Sequence, residues 1–165
     1  MRVPYRKPGQ YTDMRPDPHI TPAKQDELIR ELESIKRRLP GMIQEVQRLA
    51  AMGDFSENAG YQIAKGALRH ANWRVLEIED ALKQAIVFEK PASTDRVQLG
   101  HTVTFSMGGV TKKYQILGSS ETDPNSSVIS HNSPIGAALL GKRVGDSFTL
   151  HLANKEVVCE VRKIE

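Results

Sequence analysis

Residues 21–53 read TPAKQDELIRELESIKRRLPGMIQEVQRLAAMG, and this stretch decides the fold. Thr21-Pro22 is a helix start: a hydroxyl that can accept from a free amide, then the residue that loses nothing at the first helical position. Apolar side chains follow at Leu28, Leu32, Ile35, Leu39, Met42, Val46 and Leu49. Their intervals alternate 4 and 3, an unbroken heptad seam closed by Gly53. A second seam at Ala64, Leu68, Ala71, Val75, Ile78, Leu82 and Ala85 repeats the intervals. Two such helices, joined by a few residues around Gly53, bury their seams by folding back as an antiparallel hairpin. At about 1.5 Å per residue this makes an arm roughly 45 Å long. The alanines of the second seam favour close pairing within one chain over a leucine-rich dimer, so a monomer is expected. Pro40 removes one hydrogen bond and crowds the preceding turn, which predicts a kink.

On either side of this coiled coil (20–88) the pattern changes. Residues 1–19 hold Pro4, Pro8, Pro16 and Pro18, four of the nine prolines, and read as a flexible tail. Lys90-Pro91-Ala92-Ser93-Thr94-Asp95 breaks the helical period, giving a linker over 89–98. From 99 to 165 the period is two. Val103 and Phe105 alternate with threonines, and Met107-Gly108-Gly109 offers a hairpin turn into Tyr114-Gln115-Ile116. Val128-Ile129 is a short strand, and Ser133-Pro134 opens a brief helix closed by Gly141. Phe148, Leu150 and Leu152 alternate, as do Val157, Cys159 and Val161, which makes Cys159 a core side chain. The fold class is α+β: a coiled-coil hairpin followed by a small antiparallel sheet with one short helix.

Composition narrows the function classes. In 165 residues, 39% hydrophobic and 26% charged is globular, and no apolar run is long enough to span a membrane. The polar first twenty residues lack the apolar stretch of a signal peptide, so a cytoplasmic protein is expected, with no membrane partner. One cysteine excludes a disulfide framework. Net charge is only +3, and residues 20–88 hold ten charges of each sign, so bulk charge does not bind nucleic acid here. His19, His70, His101, His131 and His151 are scattered without ligand spacing and suggest no metal site.

The chemistry concentrates between the two seams, in Gly53-Asp54-Phe55-Ser56-Glu57-Asn58-Ala59-Gly60-Tyr61. Hairpin geometry places this segment at the far end of the arm. Asp54 and Glu57, three residues apart, can present two hard oxygen ligands to one magnesium ion. Two carboxylates cannot hold Mg²⁺ alone, so they form a half-site. The same Asp-x-x-Glu spacing also fits a capping box, with Asp54 as the cap of the second helix. Phe55 can pack on its own hairpin or on a partner.

This segment resembles the tip signature of the bacterial transcript-cleavage factors of the GreA/GreB family. A second block, Ser130-His131-Asn132-Ser133-Pro134-Ile135 through Gly141-Lys142, resembles that family's C-terminal signature, and the resemblance runs over about residues 20–165. It implies an FKBP-like C-terminal domain that binds bacterial RNA polymerase, and a coiled coil that enters the secondary channel. In backtracked complexes the nascent RNA 3′ end is extruded. By resemblance, Asp54 and Glu57 help hold a Mg²⁺ of the polymerase active site and position the attacking water, with Ser56 at the place of a serine that can bond the water or metal shell. The factor would thereby activate the polymerase's own RNA hydrolysis without being an enzyme or stably binding a metal when free. The resemblance also assigns RNA or polymerase contacts to Phe55, Asn58, Arg48, Lys65, Arg69 and Arg74. Lys65 and Arg69 match the family's basic positions best; the bland reading of all four cations is a solvated helix face. Gly60 stands where the family has an acidic residue, and Phe55 where it has leucine or a basic residue.

Three other readings were set against this one. A channel-binding regulator that does not promote cleavage shares the architecture, but retention of Asp54 and Glu57 argues against it. A prolyl isomerase needs an aromatic-lined pocket, for which residues 99–165 offer only Phe105, Tyr114 and Phe148. A plain coiled-coil oligomer is permitted by the heptads alone.

Overall fold

Thr21 opens the first helix as its sequence requires: its hydroxyl accepts from the Lys24 amide at 3.2 Å, and Pro22 occupies the first turn. In this computed structural model, which describes residues 17–52, 58–152 and 155–165, helix α1 runs over Pro22–Ala50 and helix α2 over Ala59–Gln84. Both seams face each other. Every seam position is at least half-buried, and Leu28 and Ile78 are fully so. A two-helix layer leaves the flanks of each seam open to water, so full burial is reached only at the base, where Ile20 covers Leu28 and Ile78. Cross-helix ion pairs line the edges: Lys36 with Glu79 at 2.6 Å and Arg74 with Glu31 at 2.7 Å. Helix α1 continues through Pro40, whose ring is exposed. The heptads are thus used within the chain, as the alanine-bearing second seam predicts.

Two short strands tie the base of the arm. Strand β1 (His19–Ile20) pairs in parallel with β2 (Ile86–Val87), through Ile86 N–H to the Pro18 carbonyl at 2.8 Å and Phe88 N–H to the Ile20 carbonyl at 3.1 Å. Neither strand was expected. Two residues carry no readable period, and His19 had been placed in the tail. Residues 1–16 of that tail lie outside the described residues.

The C-terminal domain is a five-stranded sheet of order β5-β4-β3-β7-β6, from Thr102–Met107 (β3), Val110–Leu117 (β4), Val128–Ser130 (β5), Ser147–Leu152 (β6) and Lys155–Ile164 (β7). All pairings are antiparallel except β4 with β5, which is parallel. Gly108 and Gly109 both have positive φ, 55° and 84°, the two-residue hairpin turn that only glycine enters freely. Helix α3 (Pro134–Leu139) is capped by Ser133, which accepts from the Gly136 amide at 3.0 Å. Phe105 is fully buried, with the Tyr114 and Phe148 ring centroids at 5.9 and 6.2 Å. The three aromatics therefore fill the core together instead of lining a pocket for a prolyl ring. Val97 joins that core and exchanges backbone hydrogen bonds with Gly141 and Lys142 at 2.8 Å, so the expected linker (89–98) belongs to the domain at its end. Cys159 is buried there, and its desolvation raises the thiol pKa.

Candidate functional site

Among the described residues, Asn58 ties together the connection between α1 and α2. Asn58 caps α2: its Oδ1 accepts from the Tyr61 amide at 3.0 Å. Its Nδ2 donates to the Leu49 carbonyl at 3.1 Å, one of the free carbonyls at the end of α1. Asn58 thus satisfies an orphan donor of one helix and an orphan acceptor of the other, stitching the two helices where the chain reverses. The cap of α2 is Asn58, and the Asp54 and Glu57 of the capping-box reading lie outside the described residues. Among the expected tip residues, Asp54, Phe55, Ser56 and Glu57 lie outside the described residues. They belong to the 51–58 connection between the helices.

The four arm cations divide into two kinds. Arg48, in the last turn of α1, forms a fork on Glu45 at 2.7 and 2.8 Å and donates to the Met52 sulfur at 3.2 Å. Hydrogen bonding to Glu45 raises the Arg48 pKa and lowers that of Glu45. Arg74 makes a fork on Glu31 of the opposite helix at 2.7 and 2.8 Å and a third bond to Glu77 at 2.9 Å. Its geometry is that of a hairpin clasp. Lys65 lies over the Tyr61 ring, 5.5 Å from the centroid. Lys65 and Arg69 are both exposed. Tyr61, Lys65, Arg69 and Trp73 follow at spacings of four, so they occupy one face of α2, with Trp73 59% exposed.

At the other end of the arm the structure builds a second polar cluster, which the sequence did not reveal. Asp17 accepts from the Ser119 amide at 2.7 Å and hydroxyl at 3.0 Å, and from the His19 amide at 3.1 Å. His19 Nδ1 stands 2.9 Å from one Asp17 oxygen and His131 Nδ1 3.3 Å from the other. Burial pushes the Asp17 carboxyl up. Its bonds from Ser119 and His19 outweigh this and hold it at about 2. Thr21 also donates through its amide (2.9 Å) and hydroxyl to Glu121. Gly118 is required at this seam: a Cβ there would stand 1.8 Å from the His19 carbonyl oxygen. Because Asp17 and His19 lie more than a hundred residues from His131, spacing along the chain carried no sign of the group.

Residues 19–87 match the family described as transcription elongation factor, N-terminal, of GreA/GreB, and residues 92–165 match transcription elongation factor, GreA/GreB, C-term. Transcription elongation factor GreA of Macrococcus caseolyticus is 39% identical over 132 residues, 78% of this chain and 84% of that protein. The chain belongs to the GreA/GreB family of transcription elongation factors. GreA of Thermomicrobium roseum is 34% identical, over 79% of this chain and 85% of its own. A crystal structure of GreA factor homolog 1 (Gfh1) of Thermus thermophilus is 28% identical, covering 89% of this chain and 97% of that one, with a TM-score of 0.41. The arm and sheet expected from the sequence agree with this family assignment. No helix among the described residues is long and apolar enough to cross a membrane.

Proposed function

We propose that this elongation factor binds bacterial RNA polymerase, passes its helical hairpin down the secondary channel, and stimulates cleavage of backtracked RNA by presenting Asp54 and Glu57 to the polymerase's magnesium. The observation that carries the reading is the arm itself: two paired helices, α1 of 29 residues and so about 44 Å long, whose connection holds both carboxylates. Carboxylate oxygens are the donor class magnesium prefers, and two are too few to hold it without the polymerase's own ligands. Bound there, the ion supplies Lewis-acid chemistry for phosphodiester hydrolysis. The chain is then an activator and not a nuclease.

The state of the four cations supports a division of labour. Arg48 and Arg74 spend their donors on carboxylates within the arm, whereas Lys65, over the Tyr61 ring, and Arg69 are exposed and can turn to phosphate. With Tyr61 and Trp73 on the same face, they offer an extruded single strand both charge and stacking surface. Asn58 serves the RNA indirectly, by holding the helix ends together. The whole arm is near electrical neutrality, so it enters a charged channel without a large bulk penalty.

Stalled elongation complexes test the reading. Added with Mg²⁺, the protein is expected to shorten backtracked RNA from its 3′ end and restart synthesis. Asp54→Ala and Glu57→Ala are expected to abolish shortening while retaining polymerase binding in a gel-shift assay. Parent-like cleavage by both variants would remove the assignment. Polymerase inhibition without any shortening by the parent would favour the non-cleaving regulator. The paired change Lys65→Ala and Arg69→Ala is expected to slow cleavage most at low factor concentration, where RNA contacts set the affinity.

A further inference from the structure

The Asp17, His19 and His131 cluster is not used by the proposed cleavage chemistry, and its composition is unusual for a mere domain seam. Each residue offers one ligand atom, and the three atoms lie within 4.8 Å of one another. The Asp17 side chain is only 4% exposed. It is held in place from outside the cluster by both the amide and the hydroxyl of Ser119. The two imidazoles meet edge to face, with centroids 5.4 Å apart. Both turn Nδ1 toward the same carboxylate, and the Leu117 carbonyl oxygen lies 3.4 Å from His131 Nδ1.

Two borderline nitrogen ligands and one carboxylate make a donor set suited to zinc; magnesium and calcium prefer oxygen alone. Zinc bonds of about 2.0–2.2 Å in a tetrahedron set neighbouring ligand atoms roughly 3.4 Å apart. The two ring nitrogens stand 2.9 and 3.3 Å from the two different oxygens of Asp17, so both imidazoles already flank one carboxylate. In the metal-free chain the ring Nδ1 of His19 donates to the ionised Asp17; a bound metal takes the place of such a proton, leaving the remaining ring proton on Nε2 and releasing the displaced one. His19, 36% exposed in its side chain, opens the cluster to solvent on that side, the entry path an ion needs.

We propose that Asp17, His19 and His131 form a zinc site that ties the base of the arm to the C-terminal domain. Two ligands precede α1 and the third follows β5, so the bound ion spans the joint between the two domains. The metal thereby limits how far the arm swings relative to the sheet. The inference does not rest on the cleavage mechanism.

Titration of the full chain with zinc, by calorimetry and by the visible spectrum of substituted Co²⁺, tests it. One ion per chain is expected, with a tetrahedral cobalt spectrum and a raised melting temperature, in the presence of excess Mg²⁺. His19→Gln and His131→Gln, checked for parent-like circular dichroism without metal, should each lower affinity at least about tenfold, because even outer partners of metal ligands carry that much. His70→Ala, on the arm, should bind as the parent does. Absence of zinc binding by the parent, survival of binding in either glutamine variant, or equal loss in His70→Ala overturns the proposal. Should the Gln variants lose their fold, a cobalt spectrum of the parent without imidazole-nitrogen signals in paramagnetic NMR does the same.

Discussion

At the residue scale, Asn58 answers for both helices at the reversal. Asn58→Ala removes the cap of α2 and the donor to Leu49, and is expected to cost about 1–2 kcal/mol of arm stability. Asn58→Asp keeps the cap but forfeits the donor, so it should fall between the two in urea unfolding followed by circular dichroism. The clasp between Arg74 and Glu31 gives a pH signature. The hydrogen bond from Arg74 lowers the Glu31 pKa below its ordinary 4.5. Its contribution is therefore complete above 4.5 and is lost as pH falls through the lowered folded value. The pair is about one-third exposed, so Glu31→Gln should cost less than about 1 kcal/mol at neutral pH. That difference between parent and variant should vanish in melts taken well below pH 4.5. Cys159, buried and with its thiol pKa raised, should resist alkylation in the native chain and react on unfolding, which a thiol reagent reports directly.

At the element scale, Pro40 withholds a hydrogen bond from the Lys36 carbonyl in the middle of an otherwise continuous α1. Pro40→Ala restores the bond on an exposed face and is expected to raise the melting temperature by the equivalent of up to about 3 kcal/mol. This is also the scale at which the sequence was most readable. The alternating intervals of both seams, the Thr21 cap and the Gly108-Gly109 turn are local signals whose physics acts within a few residues. What escaped had no local signal. Strands β1 and β2 span two residues each, too few for a period. Asn58 was read as a contact residue and not as a cap, and its second bond, to Leu49, depends on the reversal of the chain. One partner of Arg74, Glu31, sits on the opposite helix forty-three residues away, beyond the reach of helical spacing, while Glu77 lies three residues on along its own helix. The carboxylates of the tip were legible as a motif, from residue types in order, while the cluster of Asp17, His19 and His131 required the folded chain to bring distant segments together.

At the scale of the whole molecule, the seam between arm and sheet depends on backbone approach at Gly118. Gly118→Ala must displace the His19 carbonyl and is expected to open this seam. Small-angle scattering should then give a larger radius of gyration, and limited proteolysis should cut faster near residues 17–21, while the core of the C-terminal domain keeps its spectrum. If cleavage depends on delivery of the tip, the same variant should slow it with Asp54 and Glu57 intact.

The hairpin is fastened at both extremities, by Asn58 where it reverses and by the β1–β2 pair where it leaves the sheet. A rod pinned in this way resists compression as a column does, because neither helix can slide past its neighbour when the end meets an obstacle. Under such a load it would buckle first beside Pro40, where one rung is missing. That weak rung sits near the middle of α1, well short of the reversal, so bending there leaves the Asn58 stitch unloaded.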